Sequence, residues 1–457
     1  MVAFFLSIVS GFALSGAFAP IDKWWLAPIA IALHIFTINR TNRKALSAFV
    51  FALTFNLVLL HWTSIYVGST PWLILAFGLA VFYIPLALVG RWGIGAYPFI
   101  FLVLEEIRNH FPFGGFGWAR IAYSQADAPY AILARYGGAA SLSTMVLLIA
   151  LFIFGITKHR MHIWILIPLL LTFIPVNVVS HSSTSALLIQ GNVPAYGLDF
   201  NARATQVFFN HVKESHKALK QNPNVDFLLW PENAVDVDPF TNKQVSAALN
   251  SFTQPMIVGA IVDKNGAVFN TSILWTKEYQ NVYSKQHLTP FGEYIPLRAL
   301  ASRISPLTDD VVDFSPGNRQ VSFEVGLAKI APIICYELID DVIVRNAATG
   351  SNILAVQTNS ATFGRSPESA QQLSITRIRA IEHSRNILSV STTGFSAVID
   401  YRGNLVQSTK MGVADHLFAT VGLIDEKSPS DRYGDWALVI TLIWLMLIAR
   451  KLYPYRR

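Results

Sequence analysis

A short apolar run at residues 330–334 (IAPII) leads directly into Cys335, Tyr336 and Glu337. The run is too short to form a helix of its own, so it predicts a buried strand, and residues 338–348 after it predict a helix. The thiol of Cys335 is therefore expected on a strand-to-helix elbow at a sheet edge, where helix N–H groups lower its pKa and can bind an oxyanion. The alternative is a buried structural cysteine, because free cysteine is among the most buried residue types.

Two further polar landmarks accompany strand-like runs elsewhere in the chain. Residues 225–230 run into Glu232, and a predicted strand at 270–276 precedes the segment that holds Lys285 and Glu293. Strands alternating with helices predict an α/β layered domain, in which ligand sites gather at strand ends and in the loops beyond them. The other predicted elements are strands at 185–190, 256–262 and 353–357 and helices near 203–220 and 369–385.

Cys335, Lys285 and Glu232 form a set that is suited to acyl transfer. A thiolate attacks a carbonyl carbon, a carboxylate takes the thiol proton and later returns it, and an ammonium stabilises the developing oxyanion. Two of these residues also have a structural alternative: Glu232 could cap a helix, and Lys285 could be a solvated loop charge. Glu293 and Glu337 are candidates for supporting positions, although Glu337 could equally be an N-terminal helix charge favoured by the helix dipole.

The composition indicates a membrane protein that carries one sizeable globular domain. Of the 457 residues, 53% are hydrophobic and only 14% are charged, and the mean hydropathy is +0.42. The apolar stretches are concentrated in the first part of the chain, and the segment after them has the composition of an ordinary globular domain. We therefore predict a seven-span transmembrane bundle, an extracytoplasmic catalytic domain and a C-terminal span with a basic tail, at residues 1–181, 182–427 and 428–457.

About eight apolar segments are candidate membrane spans. The first has no basic residue at its start and is followed by more apolar segments, which favours a retained span over a signal peptide. The eight segments lie near residues 3–19, 24–38, 45–67, 71–89, 92–107, 140–157, 162–180 and 436–449.

Basic residues follow the second, fourth, sixth and last of these segments. All four clusters fall on one side of the membrane when the N-terminus is cytoplasmic, in keeping with the excess of basic residues in cytoplasmic loops. An odd number of spans then places the globular domain on the extracytoplasmic face, and the C-terminus is cytoplasmic. The basic residues are Arg40, Arg43, Lys44, Arg91, Lys158, Arg160, Arg450, Lys451, Arg456 and Arg457.

Several kinds of site and partner are disfavoured by what the sequence lacks. A single cysteine allows no intramolecular disulfide and no cysteine-cluster metal site, and the 11 histidines show no HExxH or paired spacing. No glycine-rich loop of the P-loop or Rossmann type is present, so we expect neither a metal nor a nucleotide cofactor. Much of the net charge of +7 lies beside apolar segments, which indicates membrane orientation rather than nucleic-acid binding.

Three motifs together resemble those of the apolipoprotein N-acyltransferase family. They are WPE at 230–232, Lys285 with HLTPFGEYIP at 287–296, and ICYE at 334–337. Motifs with Glu, Lys and Cys mark all nitrilase-like proteins, whereas PFGEYIP combined with a membrane architecture is much more specific. The resemblance covers nearly the whole chain, including an external stretch at 115–125. It implies a nitrilase-like αββα sandwich domain on a membrane bundle.

The resemblance also implies a ping-pong acyl transfer in the plasma membrane of a bacterium. The Cys335 thiolate would attack the sn-1 ester of a phospholipid and form a thioester. The α-amine of a diacylglyceryl-modified N-terminal cysteine on a lipoprotein would then take the acyl group. Glu232 would act as general base and acid, and Lys285 would stabilise the oxyanion beside the backbone N–H of Tyr336. Glu293 would orient this trio.

The chain departs from the family pattern after the strand predicted at 353–357. Members often have NDAWFG there, whereas residues 359–364 read NSATFG, with neither an acidic residue nor a tryptophan. The departure leaves open how the acyl chain or the acceptor is held, so we assign no binding role to this segment.

Two other functions stand as alternatives. A membrane-tethered nitrilase-type amidase would pass its acyl group to water or to another amine, although a soluble substrate needs no eight-span scaffold. A transporter with an accessory domain is disfavoured because the spans hold few ionisable residues, with His34 and His61 as the main exceptions.

Overall fold

In a computed structural model of the chain, the described residues are 1–158, 162–193, 204–303 and 312–451. They divide into two compact units, one formed by Met1–Asn177 with Ser428–Arg457 and the other by Val178–Lys427. Arg160, Arg456 and Arg457, which contribute to the topology prediction, lie outside the described residues, as does the first residue of the helix predicted near 203–220.

The first unit contains α-helices joined by turns and by short 3-10 segments. Its α-helices are Val2–Ser15, Leu26–Arg40, Lys44–Leu59, Ser64–Val67, Ser69–Val81, Val89–Trp92, Tyr97–His110, Ala134–Ile156, Pro429–Tyr433 and Trp436–Lys451. Its 3-10 segments are His61–Thr63, Ile84–Leu88, Ile94–Ala96, Ile121–Ser124, Ala131–Leu133 and Ile163–Phe173.

Two helical segments in the described part of the chain are long and apolar enough to cross a membrane, judged by length and composition. They are Ser69–Trp92 and Ala131–Ile156, and they coincide with the spans predicted at 71–89 and 140–157. Shorter apolar helices coincide with four more of the predicted spans, so the total of eight stays a prediction. These shorter helices are Val2–Ser15, Leu26–Arg40, Lys44–Leu59 and Ile163–Phe173.

The stretch resembling the family's external segment is firmly packed within the first unit. The carboxylate of Glu105 accepts a hydrogen bond from the backbone N–H of Ile121 at 2.8 Å. The Arg120 guanidinium, which is 1% exposed, pairs with Glu106 at 2.6 Å. A buried charge needs a partner in apolar surroundings, and these contacts supply it.

The second unit is built, in its described residues, on two six-stranded sheets. The strand orders are β12-β1-β2-β3-β4-β5 and β11-β10-β9-β8-β7-β6. The strands are β1 (Ser182–Gln190), β2 (Phe227–Leu229), β3 (Met256–Lys264), β4 (Ala267–Trp275), β5 (Gln280–Ser284), β6 (Phe323–Val325), β7 (Ala328–Ile334), β8 (Ile353–Thr358), β9 (Ile387–Ser391), β10 (Ala397–Ile399), β11 (Leu405–Ser408) and β12 (Asp415–Leu423). The helices are Ala204–Gln221, Lys243–Asn250, Arg298–Ala301, Asp341–Thr349 and Glu368–His383, with 3-10 turns at Cys335–Ile339 and Ala361–Phe363.

The two sheets face each other across an apolar core, and each carries helices on its outer face. In β1, Ala186 and Leu188 belong to the core between the sheets, whereas Leu187 packs with Phe208 of the helix Ala204–Gln221. Successive side chains of a strand point to opposite faces, so a strand buried on both faces is apolar throughout. This is why the central strands could be predicted from continuous apolar runs. The layered α/β sandwich is thus confirmed.

Candidate active site

The three residues predicted to carry the chemistry each follow the last residue of a strand. Glu232 lies beyond β2, Lys285 directly follows β5, and Cys335 directly follows β7. The next helix after Glu232 begins only at Lys243, so Glu232 does not cap a helix. Strand ends at one edge of a sandwich bring distant parts of the chain together, and here they bring these three side chains into contact.

Cys335 lies on a sharp elbow with a left-handed backbone, at φ +50°. A 3-10 turn starts at the cysteine itself, and the α-helix begins only at Asp341, capped by the side chain of Asp340. The prediction that a helix starting at 338 lowers the thiol pKa is therefore wrong. Burial raises the pKa of Cys335 well above its ordinary value, the negative charge of Glu232 adds to this, and Lys285 opposes it. The thiol is protonated at rest and needs a base.

Lys285 is not a solvated loop charge, because its side chain is only 1% exposed. Its Nζ lies 2.7 Å from Glu293 Oε2 and 3.3 Å from Glu232 Oε1. Burial alone would lower the pKa of this lysine, but the two carboxylates outweigh it and raise the pKa above the ordinary value. Lys285 is therefore a fixed positive charge at the site.

The two carboxylates beside Lys285 have opposite pKa shifts. Burial raises the pKa of Glu232, the charge of Glu293 adds to this, and Lys285 opposes it. Burial would also raise the pKa of Glu293. The charge of Lys285, together with hydrogen bonds from Asn270 and from the backbone N–H of Thr289, outweighs burial and lowers this pKa. Glu293 stays ionised, whereas Glu232 is the carboxyl suited to proton exchange. The Cys335 thiol is within hydrogen-bonding reach of Glu232.

Asn270 joins the two carboxylates and was missed by sequence reasoning. Its Nδ2 donates to Glu232 Oε1 at 2.8 Å and to Glu293 Oε1 at 2.6 Å. The available signal was an amide in the polar stretch 270–272 of the predicted strand, because a polar side chain that becomes buried in a sheet needs a hydrogen-bond partner.

Gly259 allows the backbone before Glu232 to approach β3. A Cβ at Gly259 would contact the carbonyl oxygen of Pro231 and lie 2.6 Å from Glu232 Cα. The carbonyl of Trp230 also accepts a hydrogen bond from Gln357 Nε2, at 2.6 Å, on the neighbouring sheet. These contacts fix the position of Glu232 between the two sheets.

Glu337 connects the cysteine elbow to the segment that carries Lys285. Its carboxylate accepts from the backbone N–H of Ile334 at 2.8 Å, from the backbone N–H of Gln286 at 2.6 Å, and from the hydroxyl of Tyr283 at 2.8 Å. Burial raises the pKa of Glu337, and these donors oppose the rise. Glu337 is thus a bridging carboxylate.

Tyr336 and Gln372 flank Cys335. The ring of Tyr336 packs edge-on against His287, with centroids 5.3 Å apart, and His287 Nδ1 lies 3.0 Å from Asp340 Oδ2. Gln372 Nε2 donates to Cys335 Sγ at 3.4 Å. The helix predicted near 369–385 includes Gln372, but the sequence alone does not indicate its contact with the cysteine.

The arrangement provides a nucleophile, a proton acceptor and a fixed cation within one cluster. No group of three His, Cys, Asp or Glu side chains that could hold a metal ion occurs within the described ranges. The chemistry that these side chains support by themselves is attack of sulfur on a carbonyl carbon with stabilisation of the resulting oxyanion.

Comparison with known proteins identifies the class that this fold and site define. The family model for carbon–nitrogen hydrolases matches residues 188–421, which include Glu232, Lys285 and Cys335. The second unit is a carbon–nitrogen hydrolase domain. Among solved structures, an amidase from Nesterenkonia sp. has 18% sequence identity and a TM-score of 0.41, covering 57% of this chain and 98% of that chain.

A second family model, that of the apolipoprotein N-acyltransferase N-terminal domain, matches residues 10–152. The apolipoprotein N-acyltransferase of Mycolicibacterium smegmatis is 32% identical over 97% of this chain and 84% of its own length. That of Photobacterium profundum is 26% identical over 97% of this chain and 94% of its own length. The chain belongs to the apolipoprotein N-acyltransferase family and is an acyltransferase.

Proposed function

We propose that this acyltransferase N-acylates the N-terminal diacylglyceryl-cysteine of lipoproteins, with a phospholipid as acyl donor and a thioester on Cys335 as intermediate. The observation that best supports the proposal is the Cys335 thiol on its left-handed elbow, beside the buried Glu232 and Lys285. It occurs in a chain whose relatives are named apolipoprotein N-acyltransferases.

In the first half-reaction, Glu232 takes the thiol proton and the sulfur of Cys335 attacks the carbonyl carbon of the sn-1 ester. The C–S bond forms, and the ester C–O bond then breaks as Glu232 returns the proton to the departing lysophospholipid oxygen. The ammonium of Lys285 and the backbone N–H of Tyr336 stabilise the oxyanion between these events.

In the second half-reaction, the α-amine of the acceptor attacks the thioester carbon. Glu232 takes a proton from the attacking nitrogen and gives it to the Cys335 sulfur as the C–S bond breaks. Glu293 acts throughout as the ionised partner that holds Lys285 in place, and Glu337 keeps the elbow aligned with the Lys285 segment.

The proposal also assigns a role to each region of the chain. Residues 1–181 form a multi-span bundle in the bacterial plasma membrane, residues 182–427 form the extracytoplasmic catalytic domain, and residues 428–457 contain a last span with a cytoplasmic tail. The basic clusters after alternate apolar segments support this orientation, with both termini cytoplasmic. Both substrates carry acyl chains, which is consistent with a membrane-bound enzyme.

The experiment that tests the proposal uses the purified full-length protein and a phospholipid labelled in its sn-1 acyl chain. Without acceptor, intact mass should show one acyl adduct that hydroxylamine removes and that Cys335→Ala prevents. A diacylglyceryl-cysteine peptide should then discharge the adduct. If no adduct forms on folded protein, the thioester mechanism is wrong.

A second candidate is an amidase that transfers the acyl group to water, and the match of residues 188–421 to the carbon–nitrogen hydrolase family supports it. The same experiment separates the two functions. Discharge of the adduct in buffer alone, at the rate seen with the peptide, would identify the amidase.

A further inference from the structure

Glu368 is a buried carboxyl group beside the site that the mechanism above does not use. The residue is 2% exposed, and its Oε2 has no hydrogen-bond partner among the described residues. Burial raises the pKa of Glu368 to about 8, the charge of Glu232 adds to this, and the Ser360 hydroxyl opposes it. Because buried polar atoms are normally paired, a ligand group that donates a hydrogen bond would satisfy this oxygen.

The position of Glu368 directs it toward the nucleophile. It is the first residue of the helix Glu368–His383, and Gln372 follows one turn later. Residues four apart lie on the same face of a helix, and Gln372 on this face donates to Cys335 Sγ at 3.4 Å. The charge of Glu368 also raises the pKa of the Cys335 thiol, which places the two groups within electrostatic reach.

The surroundings of Glu368 are held in place by close packing. The hydroxyl of Ser369 accepts a hydrogen bond from the backbone N–H of Phe395 at 3.0 Å. A Cβ at Gly394 would contact Ser369 Oγ and lie 2.9 Å from Ser360 Oγ, so the start of the helix and the segment around Ser360 meet at this glycine. Ser360 is also where the family resemblance leads us to expect an aspartate. The carboxyl beside this segment comes instead from Glu368.

We propose that Glu368 forms the subsite for the primary ammonium group of the acyl acceptor. This inference rests on the proposed function, because it concerns the amine that discharges the thioester. An α-amine has an ordinary pKa of about 7.7–8.0, so much of it arrives as an ammonium, which cannot attack a carbonyl carbon. With a pKa raised to about 8, Glu368 is mostly protonated at pH 7 in the free protein, but an ammonium bound beside it favours its ionised form. The resulting carboxylate binds the ammonium strongly and can accept its proton.

The proton balance follows from this placement. The acceptor ammonium gives one proton to the carboxylate of Glu368 and becomes a neutral amine. Its nitrogen then forms the new C–N bond, and its second proton passes through Glu232 to the Cys335 sulfur as the C–S bond breaks. The products are an amide, a thiol and one proton on Glu368, which solvent takes up.

The two half-reactions test this subsite separately from the proposed function. Glu368→Gln should form the acyl adduct from labelled phospholipid at the wild-type rate. Its discharge by the diacylglyceryl-cysteine peptide should show a KM raised roughly tenfold or more, as expected for losing a charged hydrogen bond. Discharge by hydroxylamine, which is mostly neutral at pH 7, should be unchanged. Glu278→Gln, an exposed carboxylate at the β4–β5 turn, is the matched control and should behave as wild type.

Two results would overturn the subsite. One is a wild-type KM for the peptide in Glu368→Gln, and the other is equal slowing of adduct formation and of both discharges, which indicates a positioning role. If Glu368→Gln does not fold, Glu368→Asp is the second variant, because it shortens the side chain by one methylene. It should raise the KM for the peptide without changing adduct formation or discharge by hydroxylamine. An unchanged KM for the peptide would overturn the inference. Failure of the wild-type protein to form or discharge the adduct would instead count against the proposed function.

Discussion

Glu232 and Glu293 both contact the ammonium group of Lys285, but at different distances, and their pKa values shift in opposite directions. The Nζ of Lys285 is 2.7 Å from Glu293 and 3.3 Å from Glu232. The pKa of the nearer carboxyl is lowered, whereas the pKa of the other is raised by burial and by the charge of Glu293. Glu293 is thus suited to remain a permanent negative charge, and Glu232 is suited to exchange a proton.

This division predicts how acyl-enzyme formation depends on pH. Glu232 must be ionised to take the thiol proton, and its pKa is raised, so the rate should fall as the pH drops through a value above the ordinary glutamate pKa of about 4.3. Asn270→Ala removes a hydrogen bond that lowers the pKa of Glu232 and should move this fall to higher pH. The measurement is the rate of adduct formation against pH. A rate that stays constant down to pH 4 would rule out Glu232 as the base.

Lys285→Ala should slow adduct formation by ~10²–10³-fold, because it removes a preorganised charge from the oxyanion. It also leaves two buried carboxylates without their cation, so thermal unfolding of the purified protein must be measured beside the rate. Lys277→Ala, which alters an exposed lysine of the same domain, is the control. An adduct formation rate in Lys285→Ala equal to that of the control would remove Lys285 from the oxyanion role.

At the scale of strands and helices, the site depends on how closely neighbouring elements approach. The backbone around Glu232 passes next to β3 only because position 259 has no side chain. On the other sheet, Glu337 ties the end of β7 to the residues after β5. The side chains at the strand ends are therefore aligned by backbone contacts as well as by their own ion pairs.

Gly259→Ala should displace the backbone around Glu232. The new Cβ would meet Pro231 and Glu232 backbone atoms, so the loop must move, and we expect a loss of stability of about 1–3 kcal/mol together with much slower adduct formation. Gly266→Ala is the control, because its Cβ would meet no atom within 4 Å. The substitution should lower the stability by only about 1–2 kcal/mol, because residue 266 has a φ of +84°. Gly259→Ala with a wild-type rate of adduct formation would contradict this account.

The strands were predictable to the extent that they are buried on both faces. Apolar runs predicted β1, β3, β7 and β8, because the side chains on both faces of each strand are buried. The start of the helix after Cys335 was not predictable, since Tyr336 and Glu337 form a 3-10 turn whose geometry depends on tertiary hydrogen bonds to Glu337. The direction of the thiol pKa shift was predicted wrongly because neither the burial of Cys335 nor the nearby charge of Glu232, which raise this pKa, is visible in the sequence.

Within the site, predictability followed the chemical reactivity of the side chain. A cysteine, a lysine and a carboxylate are conspicuous next to strand-like runs, so their meeting could be expected. Asn270 and Gln372 are uncharged amides, and their contacts become visible only when β4 and the helix Glu368–His383 are placed in space. Glu368 immediately precedes the helix predicted near 369–385, and only the folded chain brings it within electrostatic reach of Cys335.

At the scale of the whole molecule, the chain combines an apolar helical unit with an α/β domain of ordinary polarity. The orientation proposed for them rests on basic residues, which are retained in cytoplasmic loops more often than acidic ones. Of these residues, Arg43 lies between two apolar helices, Leu26–Arg40 and Lys44–Leu59, and Lys44 begins the second helix, so both are at a connection that is expected to face the cytoplasm.

The orientation can be tested with engineered cysteines in the Cys335→Ala background, which has no other thiol. Asn265→Cys, in the exposed turn between β3 and β4, should react with a membrane-impermeant thiol reagent on intact cells. Asn42→Cys, in the loop expected to be cytoplasmic, should react only after lysis. The reverse pattern would invert the orientation and move the catalytic domain to the cytoplasm.

The left-handed backbone at Cys335 bears on how this position changes over evolutionary time. A non-glycine residue at φ +50° costs the native state about 1–2 kcal/mol, so folding alone would favour glycine there. The proposed thioester chemistry, in contrast, requires a cysteine there. In a lineage that no longer needs the acyl transfer, we expect glycine to replace Cys335, which would give a more stable but inactive protein. We therefore expect a cysteine at this position in those lineages that still use the acyl transfer.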